Sequence, residues 1–181
     1  MPPGDRPGEP WLSFLTNLDA HLTVAADFHC IGGFAVSQCY GFARQTTDLD
    51  VLTVIPWNSA EEVLHFAGRG SPLQKTHGVY VDYVRVTNYP ADYEDRLIRV
   101  FPIWPNVRLW ALEPHDLALT KLERSSHRDI TDVMFLAQAN LIQRDTLISR
   151  FETEWEPYVI GRTPTWNRTT LKMWIAACWP E

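Results

Sequence analysis

The stretch GGFAVSQCYGFARQTTDLDVLTVIP, Gly32 to Pro56, contains the most unusual feature of the chain. A Gly-Gly pair precedes a short segment typical of a two-turn helix, and an apolar strand follows, headed by Asp48 and Asp50. Side chains two residues apart in a strand point to the same side, so the two carboxylates repel each other. We therefore expect a compensating positive charge beside them.

A divalent metal ion is one such charge. The Cα atoms of Asp48 and Asp50 lie roughly 6–7 Å apart in a strand, so both side chains can reach one ion. Carboxylate oxygens are hard ligands that suit Mg²⁺ or Mn²⁺. Asp82, inside the apolar strand pattern VYVDYV, is a third candidate, because a buried aspartate is costly unless it is paired or bound to a metal. The sequence predicts that these three acids form one metal site.

The Gly-Gly pair predicts a phosphate-binding turn. Without side chains at Gly32 and Gly33, backbone N–H groups and the following helix N-terminus can face an anion. A Gly-Gly pair alone is more often a plain turn, and D-x-D occurs in many soluble chains. Their order here, followed by an acid in the next strand, is much more specific.

The rest of the chain alternates strand and helix patterns before becoming helical. We predict a helix from Trp11 to about Phe28, a strand at FHCI, a central strand at DLDVLTVI that is too apolar to have a solvent-facing side, and helices on both faces of the sheet. Further predicted elements are a helix in NSAEEVLHFAGRG, strands in GVYVDYVRV and NVRLWALEP, a short helix with a loop in PADYEDRLIRVFPIWP, and three helical segments after Pro114.

This order predicts an α/β (α+β) fold with a small mixed sheet. A chain of 181 residues with 45% hydrophobic residues can bury a core of its own. We expect a flexible leader at residues 1–10, a core at 11–111 and a C-terminal helical region at 112–181 packed on that core.

Composition limits the partners and the compartment. The net charge of -6 disfavours a general nucleic-acid surface. The three cysteines have no zinc-site spacing, and neither a signal peptide nor a membrane-spanning run is visible, so we expect a cytoplasmic protein with no membrane partner. A bulky RNA would need a local basic groove, for which the candidates are Arg69, Lys75, Arg85, Arg96 and Arg99.

The segment IGGFAVSQCYGFARQTTDLDVLTV resembles the core motif of the nucleotidyltransferase superfamily, which has the DNA-polymerase-β-like fold. The pattern is most similar to the bacterial AbiEii-like toxin proteins, and LEPHDLALTKLERSSHRDITDVMFLA resembles the segment that follows their catalytic core. Together the two stretches cover about residues 28–137. The chain departs from the usual Gly-Ser turn, since Phe34 follows Gly33.

The resemblance implies that Gly32 and Gly33 face phosphate and that Asp48 and Asp50 bind metal. Asp82 would bridge metal or accept the proton of the attacking hydroxyl; the nearby alternatives for this third acid are Asp92, Glu94 and Asp95. Arg44 and Lys121 are candidates to neutralise the triphosphate. We interpret Arg128, Asp129 and Asp132 as a structural group on one helix.

The resemblance further implies metal-dependent transfer of a nucleoside monophosphate from an NTP to an acceptor hydroxyl. The acceptor could be tRNA, a protein or a small molecule, and a toxin-antitoxin setting would add an antitoxin partner. The alternative is a degenerate member that binds a nucleotide or a partner without turnover.

Overall fold

The structure is a computed structural model that describes residues 5–160 and 164–180. The chain forms two compact units. One runs up to Arg85 and includes Leu97–Ala111; the other comprises Val86–Arg96 and the chain from Leu112 onward. Residues 1–4 of the predicted leader lie outside the described part, whereas the Gly8 N–H donates to Gln38 Oε1 at 2.9 Å.

The first unit is built on a five-stranded mixed sheet in the order β3-β2-β1-β5-β4. Its strands are β1 (Ala26–Cys30), β2 (Asp48–Ile55), β3 (Tyr80–Tyr83), β4 (Ile98–Val100) and β5 (Val107–Ala111). The pairs β1–β5 and β2–β3 are parallel, and the pairs β1–β2 and β4–β5 are antiparallel. The predicted mixed sheet is confirmed, and β2 lies inside it as expected.

One face of this sheet is apolar and carries helices. The helices of the unit are α1 (Trp11–His21), α2 (Gly32–Phe34), α3 (Ser59–Ala67) and α4 (Pro72–His77), and α2 continues into a π-helical turn over Ala35–Cys39. α1 packs against β5, and α3 packs against β2 and β3. Side chains such as Phe28, Leu49 and Leu109 are completely buried in the resulting core. We expected helices on both faces, but within this unit α1, α3 and α4 contact one another and form one layer.

The other face of the sheet is polar, which contradicts the prediction for β2. Asp48, Asp50 and Thr53 are half-buried, and Ile55 is 45% exposed. A register shift opposite Phe28 and Cys30 changes the side to which the later residues of β2 point. Since alternate residues of an extended strand face opposite sides, the acids share this face with Asp27 and His29 of β1.

The first helix is shorter than its apolar pattern predicted. α1 ends at His21, and the chain from Ala26 pairs with both β2 and β5. Asn106 Nδ2 donates to the Leu22 carbonyl oxygen, and Asp19 Oδ1 accepts from the backbone N–H groups of Asn106 and Val107. These contacts with a distant loop end the helix, so its end could not be found in the local pattern. The short strand β4 and the helix α4 were also missed.

The second unit is helical. Its α-helices are α5 (Pro114–Leu119), α6 (His127–Gln138), α7 (Arg144–Arg150) and α8 (Pro164–Cys178), with a π-helical segment at Phe151–Trp155. The first of the three predicted helical segments splits in two, because Ser126 and Asp129 form a capping box that starts α6. Among the described helices, none has the length and hydropathy needed to span a bilayer.

Buried ion pairs connect the elements of this helical unit. Arg96 donates to Asp116 Oδ2 at 2.8 Å and to Glu154 Oε2 at 2.5 Å. Arg150 donates to Asp116 Oδ1 at 2.8 Å and also to Glu113. Two guanidinium groups thereby compensate the completely buried Asp116 carboxylate. Arg96, one of the five cations predicted for a basic groove, is engaged in these ion pairs.

Candidate active site

The Gly32 turn lies directly against the Asp50 carboxylate. Gly32 has φ +66°, a left-handed conformation that glycine adopts without strain. A Cβ atom at this position would lie 2.9 Å from the Asp50 Cβ, 2.8 Å from its Cγ, and would overlap with Oδ2. The Ile31 N–H donates to the Asp50 carbonyl oxygen at 2.9 Å, which fixes the turn to β2. Only a residue without a side chain allows this approach.

The missing side chain at Gly33 makes room for the Arg44 guanidinium in a similar way. A Cβ atom on Gly33 would lie 2.5 Å from Arg44 Nη2 and 2.9 Å from Thr46 Oγ1. The Thr46 hydroxyl donates to Asp48 Oδ1 at 2.6 Å and so orients that carboxylate. The guanidinium predicted to bind triphosphate therefore lies over the glycine turn, and the hydroxyl beside it holds the first acid of the D-x-D pair.

Strand register brings the third acid to the same edge of the sheet. In the parallel pair β2–β3, Asp50 is opposite Asp82 and Asp48 is opposite Tyr80. Paired residues on neighbouring strands face the same side, about 4.8 Å apart. The Asp82 side chain is 45% exposed, and its Oδ2 lies 3.7 Å from Arg69 Nη2. Asp82 thus stands beside Asp50, with an arginine as its present counter-charge.

Tyr80 and Arg69 complete this cluster. The Arg69 guanidinium lies over the Tyr80 ring, 4.5 Å from its centroid, and donates to the Tyr80 hydroxyl. Burial raises the pKa of the Tyr80 phenol, and the charges of Asp48, Asp82 and Asp50 raise it further, whereas Arg69 opposes them. All three carboxylates therefore lie close enough to the Tyr80 hydroxyl for their negative charge to raise its pKa.

The chemistry of Asp48 and Asp50 fits a hard divalent cation. Both side chains lie on one face of β2, and the missing side chain at Gly32 makes room for the Asp50 carboxylate itself. Across residues 5–160 and 164–180, however, no three His, Cys, Asp or Glu side chains are grouped closely enough to hold a metal ion. The Asp82 carboxylate would have to turn from Arg69 to join the other two.

The remaining predicted site residues lie in the helical unit. Lys121 is buried, with Nζ 2.9 Å from Asp132 Oδ2 and 3.9 Å from Asp129 Oδ1. Asp129 and Asp132 belong to α6 and are buried themselves, in agreement with a structural group, whereas Arg128 of the same helix is exposed. Asp92, Glu94 and Asp95, the alternative third acids, fall in the segment Val86–Arg96 of the same unit. The contribution of Lys121 to triphosphate binding stays a prediction.

Sequence reasoning missed Thr46 and Tyr80, and it considered Arg69 only as a candidate for a basic groove. Thr46 and Tyr80 each precede an acid by two residues in an extended segment, so the period of two would have placed them on the acid-bearing side. Arg69 follows α3, and no local pattern links it to Asp82 or Tyr80. The isolated parallel bridge between Gly68 and Val81 places it beside β3.

A protein-family model, described as "Nucleotidyltransferase of unknown function (DUF6036)", matches residues 14–174. The chain belongs to this nucleotidyltransferase family. Comparisons with curated proteins and with solved structures gave no match. The superfamily implied by the resemblance of the D-x-D segment is therefore confirmed, and the mixed α/β architecture agrees with a small nucleotidyltransferase fold.

Proposed function

We propose that this nucleotidyltransferase moves a nucleoside monophosphate from an NTP to an acceptor hydroxyl, with Mg²⁺ or Mn²⁺ held by Asp48 and Asp50. The observation that carries the proposal is the approach of the Gly32 turn to the Asp50 carboxylate, with Asp82 in register on the next strand. Family membership supports the reaction class. The substrate would thus meet a backbone turn, a set of acids and a nearby cation in one place.

Each residue of the site has a defined part in this reaction. The backbone N–H groups of the Gly32–Gly33 turn would face the triphosphate, and Arg44, for which Gly33 makes room, would neutralise part of its charge. A bound divalent ion would supply charge neutralisation at the reacting phosphate. The acceptor oxygen forms a bond to the α-phosphorus while the bond to pyrophosphate breaks. Asp82 would take the hydroxyl proton or add a metal ligand.

Label transfer tests this proposal. The protein is incubated with Mg²⁺, each α-labelled NTP and, in turn, tRNA, cell-extract protein and small hydroxyl compounds. We expect label on one acceptor class, lost in Asp48→Asn and Asp50→Asn because each removes a charge from the metal site. Glu61→Gln, at an exposed position of α3, should keep full activity. Equal transfer by Asp50→Asn and wild type would refute the assignment.

A degenerate, binding-only protein is the second candidate. It is favoured by the Arg69–Asp82 contact and by the lack of a three-acid cluster in the described part of the chain. Titration with Mn²⁺, followed by calorimetry, separates the two. Metal binding that depends on Asp48 and Asp50, together with label transfer, supports the enzyme; nucleotide binding without transfer to any acceptor supports the binding protein.

We propose that this activity belongs to a cytoplasmic toxin. The reaction consumes NTP, and Cys30, Cys39 and Cys178 are all free thiols, which fits a reducing compartment. The likeness of the D-x-D segment to AbiEii-like toxins suggests an antitoxin partner. Induced expression should then arrest bacterial growth, whereas Asp50→Asn should not; growth arrest by both proteins would exclude nucleotidyl transfer as its cause.

A further inference from the structure

We propose that Arg99, Arg108 and Trp110 form a separate anion site that binds a phosphate group of the acceptor. With Asp27, these residues are called the arginine–tryptophan cluster below. The anion site rests on the contacts within this cluster, and its assignment to the acceptor rests on the proposed function. The acceptor would accordingly be a nucleotide or a nucleic-acid strand.

Strand register places the cluster on the polar face of the sheet. Asp27 of β1 is opposite Arg108 of β5, and Arg99 of β4 is opposite Trp110 of β5. Arg108 and Trp110 are two residues apart, so both point to the side of Asp27. This is the side to which Asp50 points, as follows from the pairing of Cys30 with Val51. The candidate active site and the cluster therefore share one face.

The single carboxylate of the cluster is already engaged. Asp27 Oδ2 accepts from Arg108 Nη2 at 2.5 Å, and Asp27 Oδ1 accepts from Trp110 Nε1 at 2.6 Å. One positive charge is therefore compensated within the cluster. In the described part of the chain, the second arginine has no carboxylate of its own.

Arg99 is that second arginine. Its guanidinium lies over the Trp110 ring, 5.3 Å from the centroid, and among the described residues it has no ion-pair partner. Burial lowers the pKa of Arg99; Asp27 opposes this effect and the charge of Arg108 adds to it. A half-buried cation next to another cation is stabilised when an anion binds to it.

Unpaired donors point to the same conclusion. Arg99 Nη1 and Arg108 Nε are both buried, and neither has an acceptor among residues 5–160 and 164–180. A buried donor without an acceptor costs free energy, and a chain with net charge -6 retains two such donors on neighbouring strands. Phosphate oxygens are strong acceptors for guanidinium groups. The Trp110 indole lies nearby and could contact the base of a bound nucleotide.

The distance to the acids suits one extended ligand. Both β5 and β1 lie between β4 and β2 in the sheet, so Arg99 and Asp50 are on strands about 14 Å apart, whereas Arg108 on β5 is about 10 Å from β2. A nucleotide whose phosphate contacts Arg99 could direct its sugar hydroxyl along the sheet face toward Asp50. This arrangement makes the cluster a specificity-determining site for phosphorylated acceptors.

The test measures binding in the absence of metal and NTP. A labelled five-nucleotide single-stranded RNA is titrated with the full-length protein and followed by fluorescence anisotropy. We expect Arg99→Gln to weaken binding about 10-fold or more, because a charge-assisted hydrogen bond is lost. Arg6→Gln, which removes an exposed arginine from the same unit, should change binding less than about twofold.

Asp27→Asn provides a second variant with the opposite expected sign. It removes the carboxylate that compensates Arg108, so the RNA should bind more tightly and with a steeper salt dependence. Circular dichroism confirms that each variant is folded, and Arg99→Lys, which keeps the charge, should retain part of the affinity. Equal affinities of Arg99→Gln and Arg6→Gln, or weaker binding by Asp27→Asn, would overturn the anion site.

Competition identifies the source of the phosphate. Displacement of the RNA by a nucleoside 5′-monophosphate indicates a single nucleotide, and displacement only by longer strands indicates nucleic acid; both support the site. If binding depends on Arg99 but no acceptor is ever labelled, the anion site stands and the proposed function fails. If transfer to an RNA or nucleotide acceptor occurs equally in Arg99→Gln and wild type, the acceptor assignment is wrong.

Discussion

In the candidate site, the small size of the two glycines matters as much as the charge of the side chains beside them. Gly32 and Gly33 are adjacent, but each makes room for a different group: Gly32 for the Asp50 carboxylate and Gly33 for the Arg44 guanidinium. Thr46 then holds Asp48 through its hydroxyl. A side chain added at Gly32 or Gly33, or the loss of the Thr46 hydroxyl, would therefore displace a charged group without removing it.

Gly32→Ala is expected to lower nucleotidyl transfer by about 100-fold, since a displacement of about 1 Å at a reacting group has this effect. The added methyl group would meet the Asp50 side chain, and the left-handed φ would cost about 1–3 kcal/mol of unfolding free energy. The measurements are kcat/KM for label transfer and urea unfolding.

Gly41→Ala is the matched control for this substitution. Gly41 has φ +83°, and a Cβ atom added there would have no other atom within 4 Å, so the variant shares the backbone strain without a clash at the acids. We expect similar losses of stability but a much smaller loss of transfer. Equal losses of transfer in both variants would show that the Asp50 contact is unimportant.

Among the elements, α6 shows how a charged group can be both buried and stable. Its N-terminus is closed by the Ser126–Asp129 capping box, and Arg124 donates to Asp129 Oδ1 at 2.6 Å. One turn later, Asp132 accepts from Lys121 at 2.9 Å. These ion pairs connect the helix to the segment after α5. The buried charges cost little folding free energy only while both partners of each pair are present.

Lys121→Met is expected to reduce the free energy of unfolding by about 3–5 kcal/mol, because it leaves Asp132 buried without its cation. Lys172→Met, at an exposed position of α8, should have little effect and serves as the control. Urea unfolding followed by circular dichroism measures both. A fully stable Lys121→Met that has lost nucleotide affinity would instead assign Lys121 to the triphosphate.

For the molecule as a whole, acid sensitivity should come from the helical unit. Burial raises the pKa of Glu113, but the hydrogen bond with His115 and the charge of Arg150 outweigh it and hold this pKa below its ordinary value. Burial likewise raises the pKa of Asp129, and Arg124 and Ser126 outweigh it and lower the pKa. Both carboxylates are therefore more acidic in the folded state than in the unfolded chain.

We expect the free energy of unfolding to be constant above about pH 5 and to decrease as the pH falls further, because the unfolded chain then binds more protons than the folded one. The contribution of each group is fully present above its ordinary pKa, 4.5 for Glu113 and 3.8 for Asp129, and is lost as the pH falls through the lower folded value. Urea unfolding at a series of pH values measures this slope. Glu113→Gln should reduce it, and a profile that is flat down to about pH 2 would contradict the expectation.

Local patterns predicted the elements whose signals are contained within a few residues. The strand at DLDVLTVI and the helix at α3 have the expected positions, since apolar runs, acidic first turns and terminal glycines act over short distances. The end of α1 was wrong, and β4 was missed, because Asn106 and the pairing with β5 determine them from far along the chain. The polar side of β2 was missed as well, because the register shift opposite Phe28 and Cys30 changes the side to which its later residues point.

Residue types and short spacings were enough to identify the superfamily, the mixed α/β class and the candidate acids Asp48, Asp50 and Asp82. The pairing of Asp82 with Asp50, the contact of Arg69 with Asp82, and the meeting of Asp27, Arg99, Arg108 and Trp110 on one face follow from the folded chain alone. They depend on strand register, since a shift of one residue would turn each of these side chains to the other face of the sheet. Register is set by packing and pairing between distant segments, which no short stretch of sequence contains.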